Sequence, residues 1–210
     1  MTIAKTIFTI PPNPFDPGYF ESDELRYFGF RSVGDNVKIA KNSTIIGLSN
    51  ITLGNNIRID GNVVIAAYSG SLELGDYIHV GGGCYLGCAG GVKFASFSGL
   101  SQGVRIYSGT DDYTGQALTN PTVPSKYQKL HIAPVVLEKH VIIGSGSVIL
   151  PGVVIGEGSS VGALSLVTKT LDSWGVYFGS PAKRLKARSK NLLDFEKLLI
   201  EETSVETTAN

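Results

Sequence analysis

With 210 residues the chain is long enough for one sizeable core and short of the length that usually demands two domains. Its 18 basic and 18 acidic residues cancel, so no whole-molecule field draws it to nucleic acid or an anionic membrane, and a charged ligand needs a local site. The opening stretch MTIAKTIFTIPPNPFDPGYF carries one Lys and no long apolar run; it resembles neither a signal peptide nor a membrane span and implies a cytoplasmic protein.

Residues 1–32 contain Pro11, Pro12, Pro14 and Pro17 and form an expected N-terminal arm and cap. A short helix is predicted after Ser22 as N-cap, with Asp23 and Glu24 in the first turn, where the helix dipole favours negative charge. Leu25 and Phe28 would then dock on the open end of whatever follows.

From Val33 an aliphatic residue returns every sixth position, a period that neither a helix at about 3.6 residues nor a strand at 2 produces. Between Val135 and Val167 the period is unbroken through Leu137, Ile143, Ile149, Ile155, Val161 and Val167. A small or branched residue follows four positions later, at Val141, Ser147, Val153, Ser159 and Ser165. A short strand followed by a corner, three times per turn, gives a triangular parallel solenoid. Six coils are read: Val33, Ile39, Ile45; Leu53, Ile59, Ile65; Leu74, Val80, Leu86; Phe94, Leu100, Ile106; Leu137, Ile143, Ile149; and Ile155, Val161, Val167. At each coil these side chains should point inward. Cys84 and Cys88 form a lone C-x3-C and read as small core thiols.

One interruption is of another kind. Residues 107–134, between Ile106 and Leu137, are rich in Gly, Pro, Asn, Asp and Tyr, and a polar excursion from a rigid repeat is usually there for binding. Beyond the repeat, residues 185–210 hold Leu185, Leu192, Leu193, Phe195, Leu198 and Leu199, which predict a C-terminal helix lying on the prism or on a neighbour. The closing ETSVETTAN is expected to be a disordered tail.

The column arithmetic places candidate residues. His79 precedes inward Val80 and should point outward in line with Lys38, Arg58, Gly99, Ile142 and Ser160; it is either a surface histidine or a group facing a ligand in the space beside Gly99. His140 shares a column with Tyr77 and Phe97, a stack that reads as packing between subunits more naturally than as catalysis. Asp111 and Asp112 either shape a turn or orient an acceptor and its ammonium group. Tyr113, Asn120 and Tyr127 have the composition of a sugar-binding loop, which is also ordinary loop composition. His131 lies at the loop's return, where it is solvated or touches a ligand.

The stretches APVVLEKHVIIGSGSVILPGVVIGEGSSVGALSLVTK and GSPAKRLKAR resemble the hexapeptide-repeat acyltransferases, in the branch that acetylates sugars, over about residues 33–184. IYSGTDDYTG and LTNPTVPSKY resemble a narrower group from O-antigen and exopolysaccharide synthesis. The resemblance implies an all-β, left-handed parallel β-helix forming a homotrimer, with acetyl-CoA between neighbouring prisms and the acceptor at the excursion loop. It points to Gly144, Ser145, Gly162 and Ala163 for the pantetheine arm, and to Lys169, Lys183 and Arg184 for CoA phosphate. No metal is expected.

The family's base is commonly a histidine at the start of that loop, where this chain reads Gly109-Thr110-Asp111-Asp112. Attention therefore moves to His79, with Asp111 and Asp112 as support. A sugar hydroxyl needs a base before it can attack a thioester, whereas an amine can lose its proton to water. The missing histidine thus favours N-acetylation of a nucleotide-linked amino sugar over O-acetylation of a hydroxyl. Two other functions use this fold: a zinc-dependent, carbonic-anhydrase-like prism, whose three histidines would have to converge as His79, His131 and His140 do not, and a non-catalytic trimeric scaffold.

Overall fold

In the computed structural model residues 13–208 are described, so Pro11 and Pro12 of the expected arm, and Ala209 and Asn210, lie outside the described residues. The six-residue period becomes three parallel sheets around one apolar interior. The first face stacks Val37–Ala40, Ile57–Ile59, Ile78–Val80, Gly99–Leu100, Ile142–Ile143, Ser160–Val161 and Gly175–Phe178. Thr44–Ile46 through Leu166–Val167 build the second face, and Ser32–Val33 through Val154–Ile155 the third.

Registers match the sequence columns rung for rung. Ile39 pairs with Ile59, Ile59 with Val80, Val80 with Leu100, Leu100 with Ile143 and Ile143 with Val161. All the inward residues of coils two to six are buried, while Val33 and Ile45 of the first coil are partly buried against the core. The six expected coils are followed by a further partial turn: Leu171 bridges to Ile155, and Tyr177 pairs with Val161. Leu171 and Tyr177 are buried, and Tyr177 reached the interior through a strand that the period did not flag.

The small fourth-position residues are buried as well, and the serines among them close the corners. Ser147 and Ser165 each donate their hydroxyl to the carbonyl of Gly162, at 3.1 and 2.7 Å, and Ser159 donates to that of Asp172 at 2.8 Å. A buried hydroxyl without such a partner would cost about 1–3 kcal/mol. Cys84 and Cys88 are buried free thiols, and desolvation pushes the Cys88 thiol up to about 12.

One corner of every turn adopts the left-handed backbone region, at Asn36, Asn56, Tyr77, Phe97, His140, Gly158 and Trp174 with φ between 54° and 66°. Asparagine tolerates this conformation through its short polar side chain, but an aromatic residue pays about 1–2 kcal/mol for it. Stacking offsets that cost: Tyr77 and Phe97 lie 4.7 Å apart between ring centroids, and Phe97 and His140 5.2 Å apart.

The open end is capped as expected, with one change of detail. Tyr19–Glu21 runs antiparallel to Val37–Ala40, and helix α1 (Ser22–Leu25) buries Leu25. Glu21 is the N-cap in place of Ser22, because the Ser22 hydroxyl accepts the Val37 amide at 2.8 Å instead. Phe28 stays partly exposed and packs edge-on against Phe20. At the other end helix α2 (Leu192–Thr208) continues through most of the segment expected to be a disordered tail. No helix among the described residues is long and apolar enough to cross a membrane.

Candidate active site

The outward column on the first face is as the sequence places it, with His79 between Arg58 and Gly99. The structure adds a partner that the sequence reading missed. His79 Nε2 lies 2.8 Å from Asp60 Oδ2, while Asp60 Oδ1 accepts Arg58 Nε at 2.7 Å and the Tyr19 hydroxyl at 3.3 Å. Burial works to raise the Asp60 carboxyl, but hydrogen bonds from His79 and Arg58 outweigh it and hold the group below the usual carboxylate range. The signal was available, since Asp60 lies two positions after Arg58 on the same outward side.

His79 stands at the meeting of two clefts. One, of about 470 Å³, runs past Lys38, Asn56 and Tyr77; the other, of about 450 Å³, runs past Phe97, Gly99 and Ile142 beneath α2.

His140, expected at a subunit contact, is covered by the chain's own helix. Its Nε2 lies 2.8 Å from Glu196 Oε2, and Lys139 pairs with the other oxygen of the same carboxylate. Arg188 donates to the carbonyls of His140, Gly158 and Ser159 at 2.8, 3.0 and 3.2 Å. Desolvation opposes ionisation of Glu196, yet its two partners hold it below the ordinary carboxylate value. A depressed folded value means stability that is complete above the unfolded value of about 4.3 and is lost as pH falls through the folded one. We therefore expect α2 to be released only in acid, and Glu196→Ala to free it at neutral pH at a cost of about 2 kcal/mol. Hydrogen exchange of α2 amides against pH checks this; equal protection in parent and variant would refute it.

The two loop aspartates have different employments. Asp112 is used up by its own turn: Oδ1 accepts the Thr114 amide and hydroxyl at 2.9 and 2.6 Å, and Oδ2 accepts the amides of Gln116 and Ala117 at 2.7 and 3.0 Å. Those bonds lower its pKa. Among the described residues Asp111 receives only the Asn120 amide, at 3.4 Å, and it faces a cleft of about 230 Å³ with Tyr68, Ala89, Gln128, Leu130 and Ile132. Within one chain His79 contacts Asp60 and neither loop aspartate.

The remaining expected residues are dispersed. Asn120 accepts the Thr122 amide and hydroxyl, at 3.0 and 2.6 Å, and so builds a turn. Tyr113 and Tyr127 are exposed, Tyr127 beneath the Lys126 ammonium. His131 is exposed on a two-rung ladder with Thr110, which closes the base of the loop. Ser145 donates to Gln102 Oε1 at 3.3 Å. The space beside the two glycines is taken by the chain itself: a Cβ on Gly144 would come within 2.4 Å of the Ala163 amide nitrogen, and one on Gly162 within 2.5 Å of the Phe178 ring. Lys183 and Arg184 are exposed on the strand Lys183–Ala187, which pairs antiparallel with Gly175–Phe178, and Lys169 is exposed near the last corner.

Prism, excursion loop and outward charged column together define an acyltransferase scaffold of the hexapeptide-repeat kind. The chain belongs to the hexapeptide-repeat, left-handed parallel β-helix sugar acyltransferases. Residues 134–169 match the profile "Bacterial transferase hexapeptide (six repeats)" and residues 32–67 "Hexapeptide repeat of succinyl-transferase".

Among relatives, the chain is 41% identical to dTDP-4-amino-4,6-dideoxy-D-glucose acyltransferase of Escherichia coli over 86% of its own length and 94% of that protein. It is similar to AntD, an N-acyltransferase from Bacillus cereus solved with dTDP and 3-hydroxybutyryl-CoA: 37% identity, 89% of this chain, 98% of that one, TM-score 0.85. A form of AntD with one serine changed to cysteine, solved with dTDP-4-amino-4,6-dideoxyglucose and coenzyme A, matches at 36% identity, 88% and 98% coverage and TM-score 0.85. Other forms of AntD replace an aspartate ten residues beyond that serine. In this chain a serine stands ten residues before an aspartate only once, at Ser101 and Asp111.

Proposed function

We propose that this protein transfers an acyl group, acetyl by our reading, from its CoA thioester to the 4-amino group of a dTDP-linked 4-amino-4,6-dideoxyhexose. The product serves O-antigen or other surface-polysaccharide synthesis. The observation that carries this reading is the Asp111 carboxylate at the loop cleft, which accepts one long hydrogen bond from the Asn120 amide, set against the fully engaged Asp112. An amine reaches the site as ammonium, which a carboxylate attracts and can deprotonate, and attack then needs no further activation.

Asp111 takes one proton from the ammonium, the freed amine nitrogen bonds to the thioester carbonyl carbon, and the C–S bond breaks as the carbonyl re-forms, with a second proton leaving the nitrogen for the sulfur. The CoA thiolate leaves and is protonated. Ser101, whose hydroxyl has no hydrogen-bond partner among the described residues, is our relay: it hydrogen-bonds the departing sulfur and passes on the proton that leaves the nitrogen. No covalent acyl-enzyme is required, and the buried thiols of Cys84 and Cys88 take no part.

Lys183, Arg184 and Lys169 hold CoA phosphate in this reading, with the pantetheine arm along Gly144, Ser145, Gly162 and Ala163, and Tyr113, Asn120, Tyr127 and His131 near the acceptor. The active unit is a homotrimer with sites between prisms, acting in the cytoplasm. We divide the chain into an N-terminal arm and cap (1–32), a catalytic prism with its excursion loop (33–184) and a C-terminal helix and tail (185–210), with the strand Lys183–Ala187 crossing the second boundary. A second reading keeps His79 as the base, favoured by the Asp60 carboxylate that would fix its tautomer.

The test is CoA thiol release from acetyl-CoA and 3-hydroxybutyryl-CoA, with dTDP-4-amino-4,6-dideoxyglucose beside its 4-hydroxyl counterpart. Release with the amine should exceed that with the hydroxyl by about 10² or more. Equal turnover, or none with either acceptor, would overturn the assignment.

A further inference from the structure

The cleft at the root of the excursion loop is small and two-sided in its chemistry. At about 230 Å³ it falls below the ~300 Å³ at which sites for drug-sized ligands begin, so it suits one ring and leaves a nucleotide outside. Asp111 is the one carboxylate on its wall among the described residues. Opposite in character are Leu130 and Ile132, each about half exposed at 51% and 52%.

Alternation along the loop's return explains that wall. Gln128, Leu130 and Ile132 line the cleft, and Lys129 and His131 between them do not. Gln128 is pinned, its amide nitrogen donating to the carbonyls of Asn120 at 2.8 Å and Val123 at 2.6 Å. Ile132 is held by the ladder to Gly109. The apolar side chains are thus presented by a braced segment and stay about half exposed among the described residues.

In a pyranose the carbon bearing a 4-amine adjoins the carbon that carries position 6, so the two substituents project side by side. A wall adjoining the carboxylate that receives the amine therefore faces position 6. We infer that Leu130 and Ile132 read the missing 6-hydroxyl: they pack on the 6-methyl group and select 6-deoxy amino sugars over their 6-hydroxylated counterparts. This rests on the acceptor being a nucleotide-linked amino sugar.

An apolar surface rejects an added hydroxyl only moderately, by about 10² in kcat/KM. The experiment compares kcat/KM for dTDP-4-amino-4,6-dideoxyglucose and dTDP-4-amino-4-deoxyglucose in the parent, in Leu130→Ser with Ile132→Thr, and in Lys129→Ala. The parent should favour the 6-deoxy sugar by about 10². The double variant should bring the ratio near one by losing rate on the 6-deoxy sugar, and Lys129→Ala should leave it unchanged. A parent ratio near one, or a large ratio that survives the double variant, would overturn the inference while leaving the amine assignment intact. No turnover of either sugar would overturn the assignment itself and the inference with it.

Discussion

Asp111→Asn is expected to lower kcat by about 10²–10⁴ while leaving the thermal midpoint in place. The amide keeps the shape of the carboxylate but can neither attract an ammonium nor accept its proton, and the native side chain holds only one long contact, to the Asn120 amide. Asp112→Asn serves as the contrast. Its carboxylate accepts four hydrogen bonds from Thr114, Gln116 and Ala117, so the exchange should loosen the loop and raise KM more than it lowers kcat. Under the same assay His79→Ala should retain activity within about tenfold, in keeping with a positioning or binding role for the Asp60 pair. A collapse in His79→Ala with Asp111→Asn still active would transfer the proton-accepting role to that pair.

The largest effect on stability is expected from Phe94→Ala, at about 3–5 kcal/mol. Phe94 is 1% exposed and is the largest of the fully buried side chains. Its strand lies in register between Leu74 and Leu137, so truncation opens a hole walled above and below by neighbouring turns. Parallel rungs tied by backbone hydrogen bonds cannot close on that hole. Phe94→Leu should cost far less, because leucine already occupies the same column on both adjacent turns. Denaturant unfolding of the three proteins measures this, and an alanine variant within about 1 kcal/mol of the parent would mean that the interior collapses after all.

The fold was legible because burial and period are the same fact here. Each inward position repeats through the backbone geometry of one turn, so Ile39, Ile59, Val80, Leu100 and Ile143 could be aligned before any coordinate was known. The last partial turn escaped because Leu171 follows Val167 after four residues, although the step on to Tyr177 is again six, and because an aromatic residue replaces the aliphatic one. The helical tail escaped for a different reason: its residues are polar, and the docking of Glu196, Arg188 and Phe195 upstream holds a helix that local composition would not announce.

The site was legible in its columns and opaque in its loop. Placement of His79 beside Arg58 and Gly99 follows from counting along the repeat. The separation of Asp111 from Asp112 does not, since two adjacent aspartates in a turn look alike until one is seen to accept four hydrogen bonds and the other one. The Glu196 contact to His140 joins residues 56 positions apart across a non-repeating connection, and no period carries that information.

The excursion loop leaves the prism after Arg105–Tyr107 and rejoins it at Val135–Leu137, and neither rung is broken by it: Arg105 and Ile106 pair onward with Val148 and Ile149, and Lys93 and Phe94 with Val136 and Leu137. Recognition and scaffold are in that sense separately inheritable. A loop of different length or chemistry can be exchanged at these two rungs while the coils above and below keep their pairing. Acceptor range can therefore diversify on this frame by grafting alone, and a chimera carrying a foreign loop between Tyr107 and Val135 retains the prism it needs to be tested.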